Sequence, residues 1–210
     1  FRAPIMRDGA RIGDRMYAVD ATHLWVLDVT DPTASVRTAL LTGFGQPLAA
    51  AIHDERLLLA AGAEGLIIAD VSSPDAPVRV QSMTTDGPAL DVFVDGDLAY
   101  VATGKAGLVV VRLGETASFV GRIPLPSFTA AVAVKGDVAY VAACESLITV
   151  DTSSGAVLGS TWVDGAVDAD GVLIAPAKDV FVDDAGVFVA AGRYGAVRID
   201  ATDPTAPGPR

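Results

Sequence analysis

The chain has 210 residues and a formal net charge of −11; 51% of its residues are hydrophobic and only 20% are charged. This composition supports a large buried core and argues against disorder. The acidic charge argues against nucleic acid as a partner, because nucleic acid is bound through basic surfaces. No uncharged stretch is long enough for a membrane-spanning helix, so we predict no direct membrane insertion. A lone cysteine and two histidines exclude an internal disulfide and a conventional structural zinc site.

A short motif recurs five times along the chain at a spacing of about 42 residues. Each copy contains a strand that ends in small residues, a loop, an apolar run usually closed by Asp, and a turn rich in Pro or Ser. The apolar runs begin at Leu24, Leu66, Leu108, Leu147 and Ala196. Such regularity predicts a repeat architecture in which every copy is one supersecondary unit.

Within the third copy the pattern predicts four short strands, at about residues 91–95, 98–102, 108–111 and 118–123. Four such strands with their turns form one blade of a β-propeller. We therefore predict an all-β fold, a five-bladed β-propeller of four-stranded antiparallel blades, in a single domain over residues 1–210. The repeats are approximately 10–46, 47–87, 88–126, 127–175 and 176–204 plus 1–9, and residues 205–210 are predicted as a linker.

The ends of the chain predict how the ring closes. The fifth copy stops after its third strand, whereas residues 1–9 align with the fourth strand of the second copy, around residues 79–87. We therefore expect residues 1–7 to form an N-terminal strand that completes the last blade and removes an open sheet edge. On this interpretation the chain is a complete five-bladed ring.

The copies resemble the LVIVD repeat family, most clearly where Leu66-Ile-Ile-Ala-Asp70 is followed by Val-Ser-Ser-Pro74. The stretch from Asp91 to Gly104, followed by Gly107-Leu-Val-Val-Val, is similar to the same family. The third copy departs from the pattern at Arg112. The resemblance implies a β-propeller, often in exported or surface proteins of bacteria and archaea, and implies no shared catalytic activity.

An acidic residue closes four of the five apolar runs. These residues are Asp28, Asp70, Asp151 and Asp200. An Asp that precedes Ser, Thr or Pro commonly accepts hydrogen bonds from the backbone of the following turn. We therefore predict turn caps here rather than a ring of catalytic acids.

The loops between the second and third strands of the blades are the predicted binding face, together with the crossings between blades. Within a repeating scaffold these loops carry different side chains, as expected for a recognition surface. The candidate binding residues are His23, Glu64, Lys105, Glu145, Arg193 and Tyr194.

Two further candidates are acidic residues at the start of innermost strands. Asp91 and Asp179 begin these strands in the third and fifth copies, where the second and fourth copies have Ala50 and Ala131. They could attract a cation at the mouth of a channel. They are also the only inner-strand pair that a carbohydrate-active enzyme of five-bladed type could use as facing carboxylates.

The longest connection joins the fourth and fifth copies over residues 164–176. Its Asp168-Ala-Asp170-Gly171 stretch resembles part of a calcium loop but lacks the remaining ligands, so we predict a contact loop and no cofactor, with calcium as the alternative. Cys144 has no adjacent cation in the sequence and is predicted to be a passive thiol.

No nucleophile elbow, phosphate-binding glycine loop or dinucleotide fingerprint occurs in the sequence. The leading hypothesis is therefore a non-enzymatic protein-interaction or scaffold module. It would act in an exported or cell-surface assembly, so its location would be extracellular, periplasmic or cell-surface, and its partner another protein or subunit. The alternatives are the carbohydrate-active enzyme and a propeller that binds a cation or small ligand through Asp91 and Asp179.

Overall fold

The computed structural model describes residues 5–163, 177–192 and 195–209, which form five antiparallel sheets. The first sheet contains β1 (Asp8–Ile12), β2 (Arg15–Val19), β3 (Leu24–Asp28) and β4 (Val36–Leu41). The second contains β5 (Ala49–His53), β6 (Arg56–Ala60), β7 (Leu66–Asp70) and β8 (Val78–Met83). The third contains β9 (Asp91–Asp95), β10 (Leu98–Ala102), β11 (Leu108–Arg112) and β12 (Ser118–Ile123).

The fourth sheet contains β13 (Thr129–Lys135), β14 (Val138–Ala143), β15 (Ser146–Asp151) and β16 (Val157–Trp162). The fifth contains β17 (Asp179–Asp183), β18 (Gly186–Ala190), β19 (Ala196–Asp200) and the two-residue β20 (Gly208–Pro209). In every sheet the strands lie side by side in chain order. The protein is thus an all-β, five-bladed β-propeller, which confirms the predicted fold class.

The middle strands of the second, third and fourth sheets are largely buried because they are almost continuously apolar. In β6, Leu57, Leu58 and Leu59 are all fully buried, whereas Val78 and Val80 of the outermost strand β8 are more than half exposed. The first two strands of each sheet are joined by tight hairpins that require a left-handed backbone. Gly96 supplies this conformation with a φ of 53° and Asp54 with a φ of 50°.

The chain packs as two compact units, and the first comprises Phe1–Val101 and Val111–Phe119. Its core lies between the first two sheets, where the apolar faces of β2 and β3 meet those of β5, β6 and β7. The buried cluster there includes Tyr17, Leu24, Val26, Leu57 and Leu59, all fully buried. Phe44, in the connection between these sheets, belongs to the same cluster.

The second unit comprises Ala102–Val110 and Val120–Arg210 and contains the fourth and fifth sheets. Val141, Leu147 and Val150 are fully buried in the fourth sheet. Val189 and Ile199 are buried in the fifth. The same small and branched apolar residues therefore fill the middle strands of both units.

The predicted N-terminal closing strand is corrected by the structure. The place beside β19 is taken by the chain's own β20, with Ile199 opposite Pro209 and Asp200 opposite Gly208. The chain turns back after β19 because Asp203 caps a turn, accepting hydrogen bonds from the Thr205 N–H and hydroxyl. Residues 208–209 of the predicted linker are thus a strand.

At the other end of the chain, the Arg7 N–H donates to the Val19 carbonyl at 2.8 Å, so this residue extends the first sheet. Residues 1–4 of the predicted closing strand lie outside the described residues.

Candidate functional site

The acidic residues that close the third strands are turn caps, as predicted. Asp28 accepts hydrogen bonds from the N–H and hydroxyl of Thr30 at 2.9 and 2.6 Å, and Asp200 accepts the same pair from Thr202 at 3.1 and 2.7 Å. Asp70 accepts the Ser72 N–H at 2.7 Å. The hydroxyls of Ser153 and Ser154, with their backbone N–H groups, lower the pKa of Asp151 to about 2. These carboxylates therefore stabilise the turns that follow the third strands.

Three of the candidate loops, residues 61–65, 103–107 and 191–195, are built on the same hydrogen-bonded frame, and in the last of them the Ala191 N–H donates to the Gly195 carbonyl at 2.8 Å. The Ala61 N–H donates to the Gly65 carbonyl at 2.8 Å, and the Thr103 N–H donates to the Gly107 carbonyl at 2.9 Å. In each loop the carbonyl of the preceding glycine also accepts the N–H of the last glycine. All three loops are therefore rigid turns, and in 61–65 and 103–107 the two central residues face outward.

The side chains that these loops display differ in charge and in pairing. In the second sheet, Glu64 lies against Gly45 and accepts a hydrogen bond from Arg79 at 3.2 Å. In the third-sheet loop, Lys105 is exposed and makes no hydrogen bond or ion pair with any residue that the structure describes. Two turns of the same geometry thus present an ion-paired carboxylate and an unpaired ammonium.

The shared hydrogen-bonded frame corrects how the loops of the second and third copies align with each other. The hydrogen bonds align Ala63 with Lys105, so Glu64 and Lys105 occupy neighbouring positions of the loop rather than the same one. Glu145 belongs to a shorter turn between β14 and β15, after Cys144 with a φ of 50°. The two remaining loop candidates, Arg193 and Tyr194, lie outside the described residues.

His23 belongs to a polar cluster that was not predicted from the sequence. Its centre is Asp20, a buried carboxylate between β2 and β3. Asp20 accepts the N–H groups of Thr22 and His23 at 2.7 and 2.8 Å and the indole N–H of Trp25 at 2.8 Å. The Arg37 guanidinium lies 5.2 Å from the centre of the Trp25 ring, on the neighbouring strand β4. The cluster therefore fixes His23, Trp25 and Arg37 relative to one another.

The pKa of Asp20 shows how strongly this cluster is held. Burial alone would raise this pKa, but the hydrogen bonds from Thr22, Trp25 and His23 outweigh burial and lower it to about 2. Asp20 is therefore ionised at neutral pH and acts as the acceptor that orders the loop. The spacing of Asp20, Thr22 and His23 is the sequence signal of such an Asx turn.

Asp91 and Asp179 both cap the start of an inner strand. The Asp91 carboxylate accepts the Val92 N–H at 2.8 Å, and that of Asp179 accepts the Val180 N–H at 2.8 Å. Each has at least one further interaction. Both candidates therefore have a local structural role.

The strand registers add a third acid at this position and correct the alignment of the second copy. Asp8 opposes Val19 as Asp179 opposes Ala190, and Ala49, rather than Ala50, takes this place opposite Ala60. The Asp8 carboxylate accepts the Ala50 N–H of the neighbouring sheet at 2.8 Å. An acid at this position can thus connect inner strands of adjacent sheets.

Within residues 5–163, 177–192 and 195–209, no group of three or more His, Cys, Asp or Glu side chains is placed to hold a metal ion. The calcium alternative rests on Asp168 and Asp170, which lie outside this part of the chain. No helix in the described residues is long and apolar enough to cross a membrane.

Comparison with protein families identifies LVIVD repeats in three segments, residues 58–85, 86–112 and 128–158. These segments contain two of the three glycine-framed loops, 61–65 and 103–107, and the turn that carries Glu145. The repeat predicted from the residues is thereby confirmed. No curated protein matches the chain.

Solved structures share the fold at low sequence identity. A protein from Lactobacillus plantarum superposes with a TM-score of 0.80 at 14% identity, over 98% of this chain and 70% of that one. BamB from Moraxella catarrhalis gives 0.63 at 12% identity, over 93% and 59%. Apo AztD from Citrobacter koseri gives 0.51 at 17% identity, over 76% and 47%. At these identities the likeness shows the fold alone.

Proposed function

The chain is a β-propeller built with LVIVD repeats, and we propose that it acts as a non-enzymatic protein-interaction or scaffold module. Its binding face would be formed by the loops between the second and third strands of its sheets. The setting we propose is an exported or cell-surface assembly, in the extracellular space, the periplasm or at the cell surface. This location is supported by the resemblance to LVIVD proteins, which are often exported.

The observation that carries the proposal is the comparison of two glycine-framed loops, residues 61–65 and 103–107. Their backbone hydrogen bonds are the same, but one displays Glu64 and the other displays Lys105. A fixed backbone loses little conformational entropy on binding, so variable side chains on fixed turns are suited to selective recognition. Lys105 is available to a partner carboxylate because it has no partner among the described residues.

The Asp20 cluster supports the proposal at the corresponding loop of the first sheet. Trp25 and Arg37 are of the residue types that dominate binding energy at protein interfaces. Here Asp20 and the ring-to-guanidinium contact hold them in place before any partner binds. His23, with a side chain about one-third exposed, lies beside them.

The test is co-purification of the native protein from its source cells, followed by mass spectrometry of bound proteins. It is repeated with a double variant, Glu64→Ala with Lys105→Ala, which leaves the net charge unchanged. The matched control is Glu55→Ala with Arg112→Ala, because both residues are exposed and lie away from these loops.

We expect a stoichiometric partner that is retained by the control and lost by the loop variant. The affinity of that partner is then measured with purified components, where the loop variant should bind at least about tenfold more weakly. A partner that binds both variants equally would contradict the proposed face. A native protein that purifies without any partner would contradict the scaffold role.

A further inference from the structure

A cavity of about 340 Å³ lies between the fourth and fifth sheets, inside the second unit, at the end of the hairpins opposite to the candidate loops. Its volume is in the lower part of the range for small-molecule sites. Its wall is formed by Lys135 and Tyr140 of the fourth sheet and by the β17–β18 hairpin and the end of β19 in the fifth. It does not include any loop residue of the proposed binding face.

Tyr140 is the feature that distinguishes this cavity from a packing defect. The residue is only 7% exposed, yet its hydroxyl makes no hydrogen bond with any residue that the structure describes. No fully enclosed side-chain nitrogen or oxygen in the described part of the chain lacks a partner. The hydroxyl therefore opens into the cavity, and burial raises its pKa, so it remains protonated and able to donate.

In the first unit the equivalent tyrosine hydroxyl has a hydrogen-bond acceptor within the protein. Tyr17 occupies the equivalent place on β2, and its hydroxyl donates to the Pro74 carbonyl of the second sheet at 3.0 Å. In the second unit the corresponding carbonyl, that of Pro204, accepts the Thr149 hydroxyl at 2.5 Å instead. No hydrogen bond from Tyr140 to this carbonyl is present in the described part of the chain.

Charges of both signs line the cavity. Lys135 donates to the Asp183 carbonyl and to the Asp184 carboxylate, each at 2.7 Å, and Arg198 and Asp200 also contribute to the wall. One carboxylate oxygen of Asp183 accepts the N–H groups of Ala185 and Gly186, and the other has no partner among the described residues. A simple anion or a simple cation would meet a like charge in this space.

We propose that this cavity binds a small zwitterion, a free α-amino acid. Its carboxylate would accept hydrogen bonds from the Tyr140 hydroxyl and the Lys135 ammonium, and its ammonium group would donate to the unpartnered oxygen of Asp183. A molecule with opposite charges two bonds apart matches a wall on which opposite charges are adjacent. The bound zwitterion would then form hydrogen bonds with the polar groups of the cavity without adding net charge to it.

The experiment screens each of the twenty L-amino acids against the native protein by ligand-observed NMR. The strongest ligand is then compared with its amide, which lacks the carboxylate, and with its N-acetyl derivative, which lacks the ammonium group. We expect saturable binding of the free amino acid and at least about tenfold weaker binding of both derivatives. Absence of saturable binding, or equal binding of either derivative, would overturn the proposal.

Two variants locate the ligand in the cavity. Tyr140→Phe removes only the hydroxyl, and Asp183→Asn removes the charge but keeps an oxygen that can cap the hairpin; each should weaken binding at least about tenfold. The matched controls are Tyr17→Phe and Asp95→Asn, the equivalent positions of the first and third sheets, and both should bind like the native protein. A ligand that binds Tyr140→Phe with native affinity would show that it occupies another place.

Discussion

Two boundaries between sheets differ at equivalent strand positions. One lies between the first and second sheets, and the other lies between the fourth and fifth sheets. In the former, Tyr17 bonds to Pro74, while Arg15 bonds to Asp28 at 2.9 Å and to Asp75 at 2.8 Å. In the latter, Tyr140 has no partner among the described residues, and a cavity takes the place of packed side chains.

This difference distinguishes the residues that every blade needs from the residues that can vary between blades. Both boundaries keep the buried middle strands, the tyrosine and the Asp caps, because these determine the backbone and the apolar core. The side chains at the hairpin ends, such as His53 with Arg56 or Asp183 with Gly186, are not needed to form a blade. Such positions can vary without loss of the fold, so function can be placed there.

The largest expected difference is in the cost of removing an apolar side chain. Leu57 and Val187 occupy equivalent positions, opposite Ile52 and Val182, but Leu57 lies in the close-packed cluster and Val187 lines the cavity. We expect Leu57→Ala to lower the free energy of unfolding by about 3 kcal/mol and Val187→Ala by about 1 kcal/mol.

Chemical denaturation of the two variants and the native protein measures both costs. The comparison is made per carbon removed, since leucine loses three carbons and valine two. An equal cost per carbon would show that the boundary around Val187 is packed as tightly as the first, contrary to the structure.

A smaller effect is expected from the two tyrosine hydroxyls. Tyr17→Phe leaves the Pro74 carbonyl without its donor and should lower the free energy of unfolding by about 1 kcal/mol. Tyr140→Phe removes a hydroxyl that has no partner among the described residues, so its effect should be close to zero. Thermal unfolding in the absence of ligand tests this pair, and equal losses would mean that the Tyr140 hydroxyl is bonded in the folded protein.

Much of the fold could be predicted because it is repeated. The apolar third strands and the caps Asp28, Asp70, Asp151 and Asp200 recur with regular spacing, and the structure confirms the blades and the caps. The fourth strand of the last sheet differs from the prediction, since it comes from residues 208–209 and not from the N-terminal segment. Its two residues, Gly208 and Pro209, have low strand propensity, and only the preceding turn at Asp203 reveals them.

The candidate sites were harder to predict because they lie where the repeat is broken. Asp20 has no acidic counterpart in the other copies of the repeat, so no recurring pattern identifies it as the centre of a cluster. Whether the Tyr140 hydroxyl finds an acceptor in the protein depends on distances between neighbouring sheets, which a single sequence does not contain.

The smallest expected effect concerns acid titration. One carboxylate in each unit has a pKa of about 2, and different hydrogen-bond donors lower the two values. The pKa of Asp20, in the first unit, is lowered to about 2 against the effect of burial by hydrogen bonds from Thr22, Trp25 and His23. That of Asp151, in the second unit, is lowered to about 2 chiefly by the hydroxyls of Ser153 and Ser154.

Both pKa values lie below the unfolded value of 3.8, so each ionised carboxylate stabilises the folded state above about pH 4. This stabilisation is lost as the pH falls from about 4 to about 2, because protonation then removes the acceptor. Ser153→Ala combined with Ser154→Ala should raise the pKa of Asp151 toward 3.8 and leave that of Asp20 unchanged. Side-chain carboxyl NMR between pH 1.5 and pH 6 measures both groups in one titration. A rise in the pKa of Asp20, or no rise in that of Asp151, would contradict the separate hydrogen-bond networks from which the two values are explained.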